Sequence, residues 1–157
     1  MTKDFLINRI VIVSSVAHEY GSLNFDDLQM KKSWSAARSY ANSKLANLYH
    51  GNELAKRLQG TGISVYSLHP GPVQTDIGRK YDSCFYECVK KFISVGMISP
   101  VEGAQTTLFC CLEDSIEAHS GRYYSKCREK STKSKTKREE EWRRLWEVSE
   151  ALVGLNE

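Results

Sequence analysis

Residues 9–15 read Arg9-Ile10-Val11-Ile12-Val13-Ser14-Ser15. Ile10 to Val13 is an unbroken β-branched run, and β-branched side chains suit the pleated, packed surface of a strand. Without polar alternation, it fits a parallel strand buried on both faces. The following stretch, Ala17 to Ser35, is polar, with Gly21 and Asn24-Phe25-Asp26-Asp27, and reads as a long loop. Ordered loops of that length are often functional. Apolar residues then recur at helical spacing, at Tyr40, Ala41, Leu45, Leu48, Ala55 and Leu58, which predicts a helix over about 36–58. Gly60 and Gly62 supply its stop. A second strand is expected over Ile63–Leu68, where Pro70 and Gly71 end pairing and let the backbone approach a ligand closely. Strand, helix, strand in that order predicts an α/β fold with a parallel sheet.

Tyr40 and Lys44 share a helix face, because residues i and i+4 are neighbours on it. A phenol is a poor acid at neutral pH, with a pKa of roughly 10. An adjacent ammonium favours the phenolate, which suits proton exchange nearer neutrality. A serine at the tip of the neighbouring strand would hold a carbonyl oxygen where the phenol can protonate it. Such a trio fits carbonyl-to-alcohol reduction with hydride from a bound cofactor. The pair alone also fits an ordinary amphipathic helix with an aromatic at its core edge.

The surrounding segments favour the chemical reading. Val13-Ser14-Ser15-Val16-Ala17-His18 is followed by Tyr40-Ala41-Asn42-Ser43-Lys44-Leu45-Ala46-Asn47, then by His69-Pro70-Gly71-Pro72-Val73-Gln74-Thr75. This succession resembles the short-chain dehydrogenase/reductase family, and more narrowly its retinol dehydrogenase branch. Arg144-Leu145-Trp146-Glu147-Val148-Ser149, Leu152 and Gly154-Leu155 are similar to that branch's closing helix. The resemblance covers nearly the whole chain. It implies Ser15, Tyr40 and Lys44 as the catalytic set, with Ser14 the alternative serine in a structural role. Strand alternation turns only one of the two toward a pocket. The resemblance also implies cofactor contacts from Tyr40, Lys44, Pro70, Gly71, Val73 and Thr75, with NADP as cofactor and NAD not excluded. Asn47 reads as a helix-surface or packing residue.

The family's Gly-rich dinucleotide turn has no counterpart here, since neither G-x-x-x-G-x-G nor G-x-G-x-x-G occurs. The expectation is the C-terminal part of a Rossmann-type, doubly wound parallel sheet that lacks the N-terminal strands. A truncated product, an alternative start and an incomplete gene model would all give such a chain. Without the adjoining strand, the edge of Ile10–Val13 is expected to self-associate. The expected activity is NADP(H)-linked interconversion of a lipophilic alcohol and its aldehyde or ketone, absent from the isolated chain. The rival expectation is a non-catalytic interaction module working through its basic tail or a Phe85–Ile98 helix.

Farther along, Tyr81 to Ile98 fits either a membrane-surface helix or a flap over the pocket. Ser99-Pro100-Val101-Glu102 is a helix start with a serine N-cap, proline at N1 and glutamate at N3. Arg122-Tyr123-Tyr124-Ser125 reads as a last strand. Residues 126–138 carry seven cations and no large apolar side chain, and read as a solvated linker. Residues 139–157 hold a docking helix that buries Trp142, Leu145, Trp146 and Val153. The organisation is thus a partial catalytic domain over 1–125, the linker over 126–138, and the helix.

With 157 residues, 41% hydrophobic and 26% charged, the chain suits one domain with a modest core. A net charge of +3 is too small to imply nucleic acid. The five cysteines form no C-x-x-C pair, which predicts a reduced, intracellular setting and no metal site. Adjacent Cys110 and Cys111 read as small core residues, and His69 as shaping the turn after its strand. The expected partner is a lipophilic small molecule. The expected location is the endoplasmic reticulum membrane surface or the cytoplasm, with no spanning segment.

Overall fold

The computed structural model describes residues 8–74 and 96–155. Thr75, Cys84, Cys88 and the expected Tyr81–Ile98 helix as far as Val95 lie outside the described residues; the last three residues of that span are not helical, and Ile98 instead forms a β-bridge with Val73. Strands β1 (Asn8–Val13), β2 (Ile63–His69), β3 (Tyr123–Ser125) and β4 (Arg128–Glu129) form one sheet in the order β1-β2-β3-β4. β1 pairs with β2 in parallel from Asn8↔Ile63 to Val13↔Leu68. β2 pairs with β3 in parallel at Ser67↔Tyr123 through His69↔Ser125. β4 is antiparallel to β3.

Helix α1 (Ala36–Arg57) joins β1 to β2, and α2 (Pro100–Leu112) precedes β3. The period-two alternation of β2 sends its side chains to opposite faces. On one face Ser67 meets α1 at Gly51, where a Cβ would come within 2.5 Å of the serine oxygen. On the other, Tyr66 and Leu68 cluster with Cys110, Ile116 and Tyr124, flanked by Val11 and Phe109. Helices therefore cover both faces of a mostly parallel sheet, the doubly wound α/β arrangement.

α1 buries Ala41, Leu45, Leu48 and Ala55 as its periodicity predicts, while Leu58 is half-buried. It stops where Gly60 and Gly62 both adopt φ of 79°. α2 opens with a full capping box, in which Ser99 Oγ accepts from the Glu102 N–H and the glutamate reaches back to the Ser99 N–H. Cys110 is a core residue, but Cys111 is exposed, since consecutive helical residues point about 100° apart.

Two expectations about whole segments need correction. β1 is not buried on both faces: Ile10 is 36% and Val13 43% exposed. It is the terminal strand of the sheet and has no outer partner among the described residues. Residues 126–138 are not a free linker. Lys126 and Cys127, both at φ 54°, make the two-residue turn between β3 and β4. The Lys130 N–H then donates to the Tyr123 carbonyl at 2.8 Å, and Thr136 is fully buried. Charged side-chain ends remain in water while the backbone beneath them docks.

Helix α3 (Glu139–Val153) packs along α1. Leu145 is buried with Leu45 and Tyr49, Trp142 packs against them, and Trp146 stacks on His50 with ring centres 5.1 Å apart. Val153, expected inside, is 69% exposed, because α3 has passed the end of its seam there. This second seam also buries Tyr49 of α1, which the primary apolar stripe did not anticipate.

Candidate active site

The parallel strands deliver their C-terminal ends to one edge of the sheet, the usual ligand-binding edge of α/β folds. Ser14 there is a structural rivet. Its N–H donates to the Leu68 carbonyl at 2.7 Å, and its Oγ donates to the Lys44 carbonyl at 2.7 Å. One buried residue thus joins β1, β2 and α1, and its hydroxyl proton is committed to a backbone acceptor.

Ser15 is extended (φ −156°, ψ 156°) and caps a short 3-10 turn over Val16–Tyr20, its Oγ accepting the Ala17 N–H. An oxygen that accepts there keeps its own proton to donate to another acceptor. Of the two serines, Ser15 therefore has the hydroxyl suited to hold a substrate oxygen.

Lys44 Nζ stands 5.6 Å from the Tyr40 ring centre, as the helical spacing requires. It donates to the Val13 carbonyl at 3.4 Å, and Asn47 Nδ2 donates to the same oxygen at 3.1 Å. A single carbonyl at the end of β1 thus anchors two α1 side chains, placing Lys44 and Tyr40 beside the strand end from which Ser15 departs. Both Tyr40 and Lys44 are half-buried. Above them the loop lies close on the helix. A Cβ on Gly21 would sit 2.6 Å from the Ala41 carbonyl oxygen, so only glycine fits. The Ser22 N–H donates to Asn42 Oδ1 at 2.9 Å.

After β2, Gly71 takes φ of 102°, a conformation other residues rarely adopt. The Val73 N–H donates to the Gly71 carbonyl at 3.0 Å, and Val73 bridges to Ile98 through the Gln74 N–H and the Pro72 carbonyl. The Val73 side chain packs against Gly103 of α2. What Val73 offers a ligand is therefore its stretch of backbone, not its isopropyl group. Pro70, Gly71 and Val73 lie on the turn leaving β2, beside the end of β1.

His69 ends β2 as a half-buried residue, and burial, reinforced by Lys130 and His18, pushes its imidazole down to about 4. Sequence reasoning passed over His18. It is 1% exposed, and its ring Nδ1 lies 2.6 Å from the Ser15 carbonyl. The available signal was its place three residues after a capping serine, where a 3-10 turn brings i and i+3 together. Among the described residues no group of three or more metal-ligating side chains gathers, and no helix is long and apolar enough to cross a membrane.

The arrangement puts a phenol and an ammonium on one helix turn, anchors that turn to the end of the strand that runs into Ser15, and brings the turn after β2 beside the same strand end. That set fits proton transfer to or from an oxygen held at the serine.

The chain is homologous to retinol dehydrogenases over part of their length. Human retinol dehydrogenase 14 is 41% identical over 150 residues, which cover 94% of this chain and 45% of that protein. Dehydrogenase/reductase SDR family member 13 of Bos taurus is 38% identical over 151 residues, covering 94% of this chain and 40% of that one. The solved structure of an uncharacterized protein from Mycobacterium paratuberculosis superimposes with a TM-score of 0.69 at 25% identity, over 94% of this chain and 50% of that chain. No protein-family model matches. The chain spans about half the length of the curated relatives it matches.

Proposed function

We propose that this homologue of the retinol dehydrogenases carries the proton-transfer centre of a short-chain dehydrogenase/reductase acting on a lipophilic alcohol and its aldehyde or ketone. The observation that carries the reading is the clasp at the end of β1. Ser14 Oγ holds the Lys44 carbonyl while Lys44 Nζ and Asn47 Nδ2 hold the Val13 carbonyl. This clasp sets the Tyr40–Lys44 turn against the strand end that bears Ser15. In the reductive direction Ser15 Oγ donates a hydrogen bond to the substrate oxygen. The Tyr40 phenol gives that oxygen its proton, and the Lys44 ammonium stabilises the phenolate left behind. Oxidation runs the same proton back.

A nicotinamide dinucleotide, NADP(H) before NAD(H), supplies or receives the hydride when bound. Tyr40 and Lys44 would hold its ribose, and the backbone of Pro70, Gly71 and Val73, with Thr75, would hold its carboxamide. The glycine at 71 supports this turn, since its φ of 102° and the Ile98 side chain 2.7 Å from where a Cβ would stand both call for glycine. The pyrophosphate finds no Gly-rich turn among these 157 residues. The isolated chain is accordingly inactive and binds dinucleotide poorly, and it self-associates along the open edge of β1. That open edge also favours a second reading, a non-catalytic module that pairs with another chain. The setting is intracellular, in cytoplasm or at a membrane surface.

The test joins this chain to the Gly-rich half of a relative and assays it with NADPH. Reduction of all-trans-retinal or medium-chain aldehydes is expected, with Lys44→Ala impairing both cofactor binding and turnover. A folded fusion that binds neither NADPH nor NADH would favour the interaction module, and one that reduces only polar ketoacids would refute the lipophilic substrate.

A further inference from the structure

Two donors from one residue converge on the Ser15 carbonyl. The His18 N–H donates to it at 3.0 Å, and His18 Nδ1 lies 2.6 Å from it. A carbonyl oxygen only accepts, so Nδ1 carries the ring proton and Nε2 the lone pair. Among the described residues Nε2 is buried without a partner, as are Tyr123 Oη and His69 Nδ1. The Tyr123 ring meets the imidazole edge-on, with centres 5.0 Å apart and planes at 72°. The charges around the ring oppose one another. Burial, Lys130 and Lys135 disfavour the imidazolium, whereas the Ser15 carbonyl and Glu19 favour it, and the balance lies below the ordinary histidine value. Charge on His18 would in turn disfavour charge on His69. The imidazole is thus neutral and confined to one tautomer.

We propose that His18 is the positioning residue for Ser15: its Nδ1–H fixes the Ser15 carbonyl, and with it the turn that aims the serine hydroxyl toward Tyr40 and Lys44. The Ala17 N–H secures the hydroxyl oxygen at 3.2 Å, so the three residues after Ser15 restrain both ends of it. The ring contact is the shortest of these bonds, and it is the one that depends on a side chain. The inference rests on the reading of Ser15 as the group that holds substrate oxygen, but the geometry it concerns exists without turnover.

Asparagine and glutamine separate this role from simple filling of space. An asparagine amide reaches the place of Nδ1, a glutamine amide reaches the place of Nε2, and leucine offers no donor. The experiment uses the fusion to the Gly-rich half of a relative, labelled with 15N and 13C, and reads the His18 tautomer and the Ser15 Hα–Hβ couplings by NMR. The expected result is a neutral Nδ1–H tautomer whose proton exchanges slowly. Ser15 should hold one rotamer in the unsubstituted fusion and in His18→Asn, and average over rotamers in His18→Gln and His18→Leu. An Nε2–H tautomer, or the same Ser15 couplings in all variants, would overturn the proposal. If His18→Leu does not fold, the asparagine–glutamine pair decides. Full turnover by a Ser15→Ala fusion would refute the reading of the serine while leaving these couplings as they are, so the two failures remain distinct.

Discussion

Tyr40 and Tyr49 are the same residue on the same helix, yet α1 gives them opposite surroundings. Tyr49 is 1% exposed, and its hydroxyl donates to Glu141 Oε2 at 2.7 Å with the Lys135 carbonyl at 3.2 Å. Burial and that carboxylate push its pKa far above the ordinary phenol value. Its proton is locked into the seam between α1 and α3. Tyr40 is half-buried at the strand ends with an ammonium over its ring. One hydroxyl is tied to a carboxylate inside the seam, and the other ring lies under a lysine at the strand ends. Residue type alone therefore does not fix a tyrosine's surroundings; the part of the helix that carries it does.

The sharpest way to break this contrast is to delete each hydroxyl in the completed enzyme. Tyr40→Phe should lower kcat by roughly a thousandfold, within the range expected for a lost general acid, with cofactor affinity nearly unchanged. Tyr49→Phe should leave kcat within a few-fold. Comparable losses in steady-state assays would erase the distinction.

The seam should answer to stability measurements instead. Leu145→Ala removes a buried side chain from the Leu45–Tyr49 cluster and should cost about 3 kcal/mol in urea unfolding. A cost below about 1 kcal/mol would mean that α3 contributes little to the fold.

Acid should separate the two regions again. His69, held at about 4, and His18, also lowered, belong to the site end. Their unfolded forms bind protons from about pH 6.5 downward, before the folded forms do, so unfolding is favoured as pH falls through that window. Their contribution is complete above about pH 6.5. The loss attributable to His69 by pH 4 is on the order of 3 kcal/mol. A His69→Gln variant should flatten that slope, and an unaltered slope would contradict the burial argument. The smallest expected effect is at the rim of the seam. The exposed Lys56–Glu139 pair, 2.6 Å apart, should contribute under about 1 kcal/mol in a double-mutant cycle.

Much of the site end was legible because its signals are local. The β-branched run, the i to i+4 pair, the glycine stop and the Ser99 capping box each depend on a few neighbouring residues, and the chain folds there as they direct. The seam was less legible. Tyr49 is buried against a helix nearly a hundred residues later, as the Tyr49–Glu141 separation of 92 shows. Residues 126–138 misled for a related reason. Their cations do point outward, but Thr136 and the carbonyls beside it are acceptors and fillers for α1 and α3, with Trp142 Nε1 donating to the Thr136 carbonyl at 2.8 Å. Charge composition reports on side-chain ends and is silent about the backbone beneath. β1 misled through its context, since a sequence suited to the middle of a sheet stands at the margin of this one.

The late segment that covers the seam also reaches the loop after Ser15. Lys135 Nζ donates to the Gly21 carbonyl at 2.8 Å across 114 residues of sequence, and Lys133 lies 3.0 Å from Glu19. The order of synthesis gives that bridge a temporal meaning. A chain emerging from the ribosome completes β1 and α1 first, but its Ser15 loop waits for residues made more than a hundred positions later. Contacts of such separation form slowly, and until they form the loop is open to proteases and to association with other chains. Nascent chains stalled before Lys130 should therefore be cut within residues 16–30, whereas released chains resist.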